Sequence, residues 1–399
     1  MPRADARLAA DLAAYAAAGR ARRRRTVEAR APGGVRVRVD GRDCVAFCSN
    51  DYLGLADHPR VVEAFRAAAA TWGVGSGASH LVSGHCAEHH ALEEELAAFV
   101  GRPRAVLFST GYMANLAVAS LLVGRGDTVL EDRLNHASLL DAGLATGARF
   151  ARYRHCDAAS LRARLARVPE ARSCLVMTDG VFSMDGDAAP LAELAAACRA
   201  VGADFLVDDA HGLGVLGPGG AGSVAEAGLG ADDVPVLMCT LGKAVGTFGA
   251  FVAGSATLCE ALVQRARTYV YTTALPPAVA AATRASLRVM HDEPWRRERV
   301  HALARRFRDG AATLGLQLMP SRTAIQPLVL GDESTALAVA EALLERGFWV
   351  PAIRPPTVPV GSSRLRFTFS ASHGDEDVTR LLEALAALAA RGSLGAAAE

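Results

Sequence analysis

Between residues 58 and 285 the chain alternates helical segments with short apolar runs: Ala105 to Phe108, Thr128 to Leu130, Cys174 to Thr178, Phe205 to Val207, Val236 to Cys239 and Ala250 to Val252. Runs so short and so uniformly apolar suit strands buried on both faces, and the helical segments between them supply the crossovers that parallel neighbours require. The pattern predicts an α/β fold around a mostly parallel sheet. Its flanks have another texture. Residues 5 to 25 read as an amphipathic, Ala-rich helix, followed by Pro32-Gly33-Gly34 and the alternating run Val35 to Val39, expected as an edge strand. After Pro276-Pro277 a long helical stretch leads to expected strands at Ile325 to Leu330 and Leu365 to Phe369, with helices near 335 to 346 and 376 to 391. We therefore divide the chain into an N-terminal arm (1–57), a large domain (58–285) and a smaller α+β C-terminal domain (286–399).

A chain of 399 residues, 51% apolar, has enough material for a large core shared by two or three lobes. A formal charge of +1 gives no field that would recruit nucleic acid or an anionic membrane as a main partner. No apolar stretch reaches membrane-spanning length, and Asp5 and Asp11 interrupt the Ala-rich start, so neither a membrane span nor a targeting peptide is expected and the location expected is cytoplasmic. The eight cysteines are scattered, which fits reduced thiols rather than a zinc site or disulfide framework.

One count bears on chemistry. Of 43 basic residues, 42 are Arg and a single one, Lys243, is Lys. A solvated surface accepts either cation, but a guanidinium stays protonated and cannot act as an amine nucleophile. A lone lysine therefore points to chemistry that only an amine performs.

In open α/β sheets ligands bind beyond the carboxyl ends of the strands. Ser109-Thr110-Gly111-Tyr112 follows the first run and opens a helical pattern, a set of free amides suited to phosphate. Asp179 to Gly186 follows another run, Asp208-Asp209-Ala210-His211-Gly212 a third, and Thr240-Leu241-Gly242-Lys243 a fourth. Pyridoxal phosphate needs an amine for its Schiff base and a carboxylate at its pyridine nitrogen. Lys243 and Asp208 fill those roles, with His211 in reach of the ring hydroxyl and Thr240 in reach of phosphate.

Those blocks, with Phe47 to Leu55 (Phe-Cys-Ser-Asn-Asp-Tyr-Leu-Gly-Leu), resemble the signatures of the α-oxoamine synthase family from about residue 10 to 390. Asn135-His136-Ala137-Ser138 and Ile353 to Pro359 most resemble its biotin-pathway branch, which joins L-alanine to a pimeloyl thioester, carried by coenzyme A or an acyl carrier protein, with loss of CO2. The resemblance implies a fold-type I homodimer with shared sites. It implies that Lys243 carries the cofactor, Asp208 holds the pyridine nitrogen, His136 stacks on the ring, and Ser183 and His211 bond the ring oxygen. Gly111, Tyr112 and Thr240 would hold the phosphate, with Thr272 or Thr273 of the partner subunit. Asn50 and Arg366 would grip the amino-acid carboxylate, Thr357 would line the substrate site, and Arg22 would meet the far carboxylate of the acyl chain. Lys243, His136, Asp208 and His211 are the expected catalytic set. His80 in the loop Gly75 to His80, and Asp179 where relatives often carry Glu, depart from the family pattern. Sister activities, 2-amino-3-ketobutyrate ligase, 5-aminolevulinate synthase and serine palmitoyltransferase, share the cofactor site.

Other signals are weaker. Gly73-Val74-Gly75-Ser76-Gly77 lacks the preceding strand and the spacing of a dinucleotide loop. His85, Cys86, His89 and His90 read as part of an ordinary packed helix with His85 and His89 on one face, so no metal is expected. Arg22 to Arg25 reads as a solvated helix end, one of whose arginines recognises an anionic substrate. A non-catalytic member on the same fold is the rival class, against which the intact Asp208, His211 and Lys243 set speaks.

Overall fold

The computed structural model describes residues 3–17 and 20–394. Seven strands form the central sheet: β4 (Arg104–Phe108), β5 (Thr128–Asp132), β6 (Arg149–Tyr153), β7 (Cys174–Asp179), β8 (Asp204–Asp208), β9 (Val236–Thr240) and β10 (Ala250–Gly254). Their order is β4-β10-β9-β8-β7-β5-β6, and all neighbours are parallel except around β10, which runs antiparallel to both β4 and β9. The six expected runs all lie in this sheet. β6 was not expected: its Arg-Phe-Ala-Arg-Tyr sequence lies on the sheet edge, where one side needs no apolar cover.

Alternation along each strand builds two cores. Val176, Phe205, Val207, Leu237 and Phe251 point to one face, while Leu175, Met177, Leu206, Met238 and Val252 point to the other. Helices cover both, as a parallel sheet requires. The sheet thus becomes a rigid platform whose carboxyl edge presents the ends of β4, β5, β7, β8 and β9 together.

The arm carries β1 (Val27–Arg30), β2 (Arg36–Val39) and β3 (Arg42–Ala46), and the C-terminal part carries β11 (Ile325–Gly331), β12 (Phe348–Trp349), β13 (Ala352–Ile353) and β14 (Ser363–Thr368). β12 pairs in parallel with β3, Phe348 opposite Val45, so one four-stranded sheet joins the start of the chain to its end. Val45 and Phe47 share a core with Phe307, Phe367 and Phe369. The long helix Pro277–Asp292 runs across residue 285 and links the large sheet to this lobe.

Two local expectations are corrected. The first helix spans Arg3–Ala17 rather than 5 to 25, and Arg20 to Arg25 is not helical. Four adjacent guanidiniums repel on a helical turn, and outside one they find separate partners: Arg22 bonds Thr357, while Arg25 bonds Asp40 and Glu341. The strand at Val35 to Val39 is internal, because β1 covers the side that the sequence left open; its Val37 and Val39 are buried while Arg36 and Arg38 face out.

Candidate active site

The carboxyl ends of β7 and β8 are in register, with Asp179 opposite Asp208. Both carboxylates are buried. Asp208 accepts from Asn115 Nδ2 at 2.9 Å and from the Ala210 amide at 3.1 Å, both neutral donors. Burial, reinforced by Asp208 beside it, raises the Asp179 pKa well above the carboxylate range. Asp179 accepts from the His136 amide at 2.7 Å, while its own amide donates to Asn135 Oδ1 at 3.1 Å, which fixes the turn after β5.

His136 caps the helix Ala137–Ala145 and exchanges contacts with Ser138: its Nδ1 lies 2.8 Å from Ser138 Oγ and accepts from the Ser138 amide at 3.2 Å. Asn115 Nδ2 donates to the same hydroxyl at 2.8 Å. Asn115 therefore couples Asp208 to the seat of His136. Partial desolvation lowers the His136 pKa, so the exposed ring is neutral at the cleft.

A second chain of contacts starts at the lysine. Lys243 Nζ is 2.9 Å from His211 Nε2, His211 Nδ1 is 2.7 Å from the Tyr52 hydroxyl, and that hydroxyl donates to Asn50 Oδ1 at 3.2 Å. Arg366 donates through both terminal nitrogens to the same Asn50 oxygen at 3.3 Å and through Nε to the Ser183 carbonyl. Burial lowers the Lys243 pKa against the opposing pull of Asp208 and Asp179, and burial beside Lys243 lowers His211 well below the histidine range. A desolvated amine of reduced basicity is one that acts as nucleophile and base near neutral pH.

The remaining expected residues fall into three groups. Gly111 starts the helix Gly111–Leu122, capped by Thr110, and a side chain there would come within 2.9 Å of Thr240 Cγ2, so this helix start lies against Thr240, whose hydroxyl is 3.5 Å from the Ala210 carbonyl. Tyr112 is exposed and its hydroxyl bonds Asp141. Arg22 Nη2 donates to Thr357 Oγ1 at 3.1 Å, and Arg354 Nη2 donates to the Ala21 carbonyl at 2.6 Å, which ties the arm to the block Ile353 to Pro359. Thr272 bonds the Thr268 carbonyl and Thr273 bridges Ser79; among the described residues neither bonds Gly111, Tyr112 or Thr240.

Four contributors were not expected: Tyr52, Asn115, Asp209 and His155. Asp209 holds Ser223 by its amide and hydroxyl, both at 2.7 Å, and anchors the loop after β8. His155 follows the unrecognised β6 and lies between Asp132 at 2.9 Å and Asp187 at 2.8 Å. Despite desolvation, those two carboxylates push its pKa up to about 12. It braces the turn that carries His136 against the exit of the loop that carries Ser183. Strand-end logic finds His155 once β6 is seen, and Tyr52 stands inside the Phe47 to Leu55 block.

The donor set suits pyridoxal phosphate. Asp208 is a buried carboxylate bonded only to neutral donors, so a protonated pyridine nitrogen supplies the cation it lacks, and the amides at Gly111 with Thr240 suit a phosphate.

The Aminotransferase class I and II family model matches residues 42–385. The chain is 61% identical over 384 residues to an 8-amino-7-oxononanoate synthase of Saccharophagus degradans, covering 96% of each. It is 65% identical over 363 residues to one of Methylococcus capsulatus, covering 91% of this chain and 93% of that protein. A serine palmitoyltransferase from S. paucimobilis, solved with bound PLP, superposes with a TM-score of 0.91 at 33% identity over 97% of each chain. Fold, strand-end chemistry and these likenesses agree: the chain belongs to the class I and II aminotransferase family, in its 8-amino-7-oxononanoate synthase branch.

Proposed function

We propose that this protein condenses L-alanine with a pimeloyl thioester, releasing CO2 and free thiol to give 8-amino-7-oxononanoate for biotin biosynthesis, with pyridoxal phosphate as cofactor. Identities of 61% and 65% over nearly full length support the reaction, and one contact carries its assignment to this site: Arg22 meets Thr357 on the block that distinguishes this branch. Bound through Lys243, the cofactor supplies an electron sink that weakens the Cα–H bond of an amino acid.

The chain's own residues do the rest. Arg366, with Asn50 between its terminal nitrogens and Tyr52, receives the alanine carboxylate and fixes the direction of the Cα–H bond. Lys243 Nζ, its basicity reduced by desolvation, would take the Cα proton once the amino acid has displaced it from the cofactor, and would later return one. His211 accepts or donates at that nitrogen, held in orientation by Tyr52. Asp208 would balance a positive pyridine nitrogen, and His136, with a proton on the nitrogen not facing Ser138, would cover the ring and donate to oxygen charge on the acyl carbonyl. Arg22 pairs with the far carboxylate, whose burial along an apolar chain is costly without a fixed cation.

Two features of assembly belong to the same reading. Val74, Leu81, Val82 and Tyr271 are large, apolar and exposed on segments that zip together through Ser79 and Thr273, the face expected of a homodimer whose Thr272 and Thr273 complete the partner's phosphate site. No helix among the described residues is long and apolar enough to cross a membrane, and we propose action in the cytoplasm. The deciding assay incubates purified holoenzyme with alanine, glycine or serine against pimeloyl, acetyl, succinyl or palmitoyl thioesters. Alanine with pimeloyl thioester is expected to turn over fastest; faster product from glycine with an acetyl or succinyl thioester would transfer the chain to a sister activity.

A further inference from the structure

The helix that was expected to include His85 begins only at Ala87, and the turn before it brings in a histidine from further back. His80 and His85 face each other with their Nδ1 atoms 2.9 Å apart. One nitrogen from each of His80, His85 and His89 lies within 4.8 Å of the other two. His89 is buried and its Nε2 donates to the Leu275 carbonyl at 2.7 Å, which leaves Nδ1 as the acceptor nitrogen, bonded here by the Cys86 amide. A second ring nitrogen donating to a carbonyl is how metal-binding imidazoles are commonly oriented. His80 is held from behind by Tyr269, stacked at 4.8 Å with the rings 10° apart.

These features share one explanation. We propose that His80, His85 and His89 form a three-histidine site for a borderline divalent transition-metal cation of the Zn2+ class, its fourth position open to the adjacent cavity. Zinc–imidazole bonds of roughly 2.0–2.1 Å in a tetrahedral site put ligand nitrogens about 3.3 Å apart, so the His80–His85 pair needs to open by only a few tenths of an ångström. His89 Nδ1 exchanges its bond from the Cys86 amide, 3.1 Å long, for the metal. An all-nitrogen set excludes the hard cations Mg2+ and Ca2+. The cavity beside the cluster, about 710 Å3 and lined also by His90, Glu94 and Tyr269, gives an entry path and room for water.

The site has a structural consequence. Ala274 donates to the Ala78 carbonyl, Ser76 donates to the Ala274 carbonyl, and His89 holds Leu275. A metal there clasps the turn at residues 80–85 to the segment that carries Thr272 and Thr273.

The test is made on the holoenzyme, stripped with chelator and titrated with ZnCl2 by calorimetry, and with CoCl2 by visible absorption. One equivalent of Zn2+ per chain, a rise in Tm and intense visible Co2+ bands are expected. His80→Ala and His85→Ala, each half-exposed and outside the helix, are expected to weaken Zn2+ binding by about tenfold or more and to abolish the Co2+ bands. Their unchanged circular dichroism and cofactor absorbance establish that they are folded. No stoichiometric Zn2+ uptake by the parent protein, or uptake unaltered in the H80A/H85A double variant, would overturn the site.

Discussion

Lys243 and His211 stand 32 residues apart in sequence, yet their side-chain nitrogens meet at 2.9 Å, part-buried beyond the ends of β8 and β9. The pairing places the chain's single ε-amine against an imidazole that burial keeps neutral. Borohydride reduction of the holoenzyme followed by peptide mapping is expected to find the cofactor on Lys243 alone. Label on the N-terminal amine only, or none, would contradict the assignment.

Asp208 has a different task, and Asp208→Asn separates charge from shape. The amide keeps the volume and a hydrogen-bonding oxygen, so the fold and cofactor binding are expected to persist. Turnover is expected to fall by at least about two orders of magnitude, because a neutral partner does not hold a proton on the pyridine nitrogen. Near-normal turnover would give the carboxylate another role.

His155 sets a pH signature in stability. Its folded pKa, up to about 12, exceeds the usual histidine value, so its contribution is full below that ordinary value, near 6.5, and declines as pH rises toward 12. The loss of denaturant midpoint in His155→Gln should accordingly be larger at pH 6 than at pH 9. Nitrogen NMR of the parent protein should show this ring doubly protonated at pH 8. A pH-independent gap together with a neutral ring would refute the brace of Asp132 and Asp187.

For substrate recognition the informative change is Arg22→Ala. Loss of a charge-assisted pair costs roughly 1.5–3 kcal/mol, or about ten- to a hundredfold in KM for the pimeloyl thioester. The KM for alanine and the affinity for cofactor are expected to stay as they are. Equal impairment with a palmitoyl thioester, which has no far carboxylate, would show that Arg22 supports the arm rather than the substrate.

Shared sites predict complementation. Mixing Lys243→Ala chains with chains carrying both Thr272→Ala and Thr273→Ala, each weakly active alone, is expected to recover activity when subunits exchange, since one site per mixed dimer is then intact. Sedimentation should show a dimer at assay concentration. A monomer with full activity would exclude this arrangement.

Much of this was legible from the chain, for identifiable reasons. Strands buried on both faces declare themselves as unbroken apolar runs, and the groups directly after them, Asp208, His211 and Lys243, inherit the cleft. What escaped depended on long-range proximity. Tyr52 meets His211 across 159 residues and Asn115 meets Asp208 across 93, and neither spacing leaves a local pattern. β6 was hidden by its edge position, and His155 with it. The arginine run misled because its length suited a helix, whereas its charges are satisfied by Asp40, Glu341 and Thr357 from outside.

The pairing of β12 with β3 bears on how substrate size is measured. On the proposed roles, Arg366 on β14 and Arg22 on the arm grip the two outer carboxylates, one from each substrate, and both belong to the lobe that this pairing stitches together. Arg366 is then placed by strand registry, and Arg22 by its bond to Thr357 on the segment between β13 and β14 of the same sheet. On those roles the lobe works as a caliper, and an acyl chain a few methylenes shorter or longer is expected to turn over more slowly, however well the cofactor end is seated.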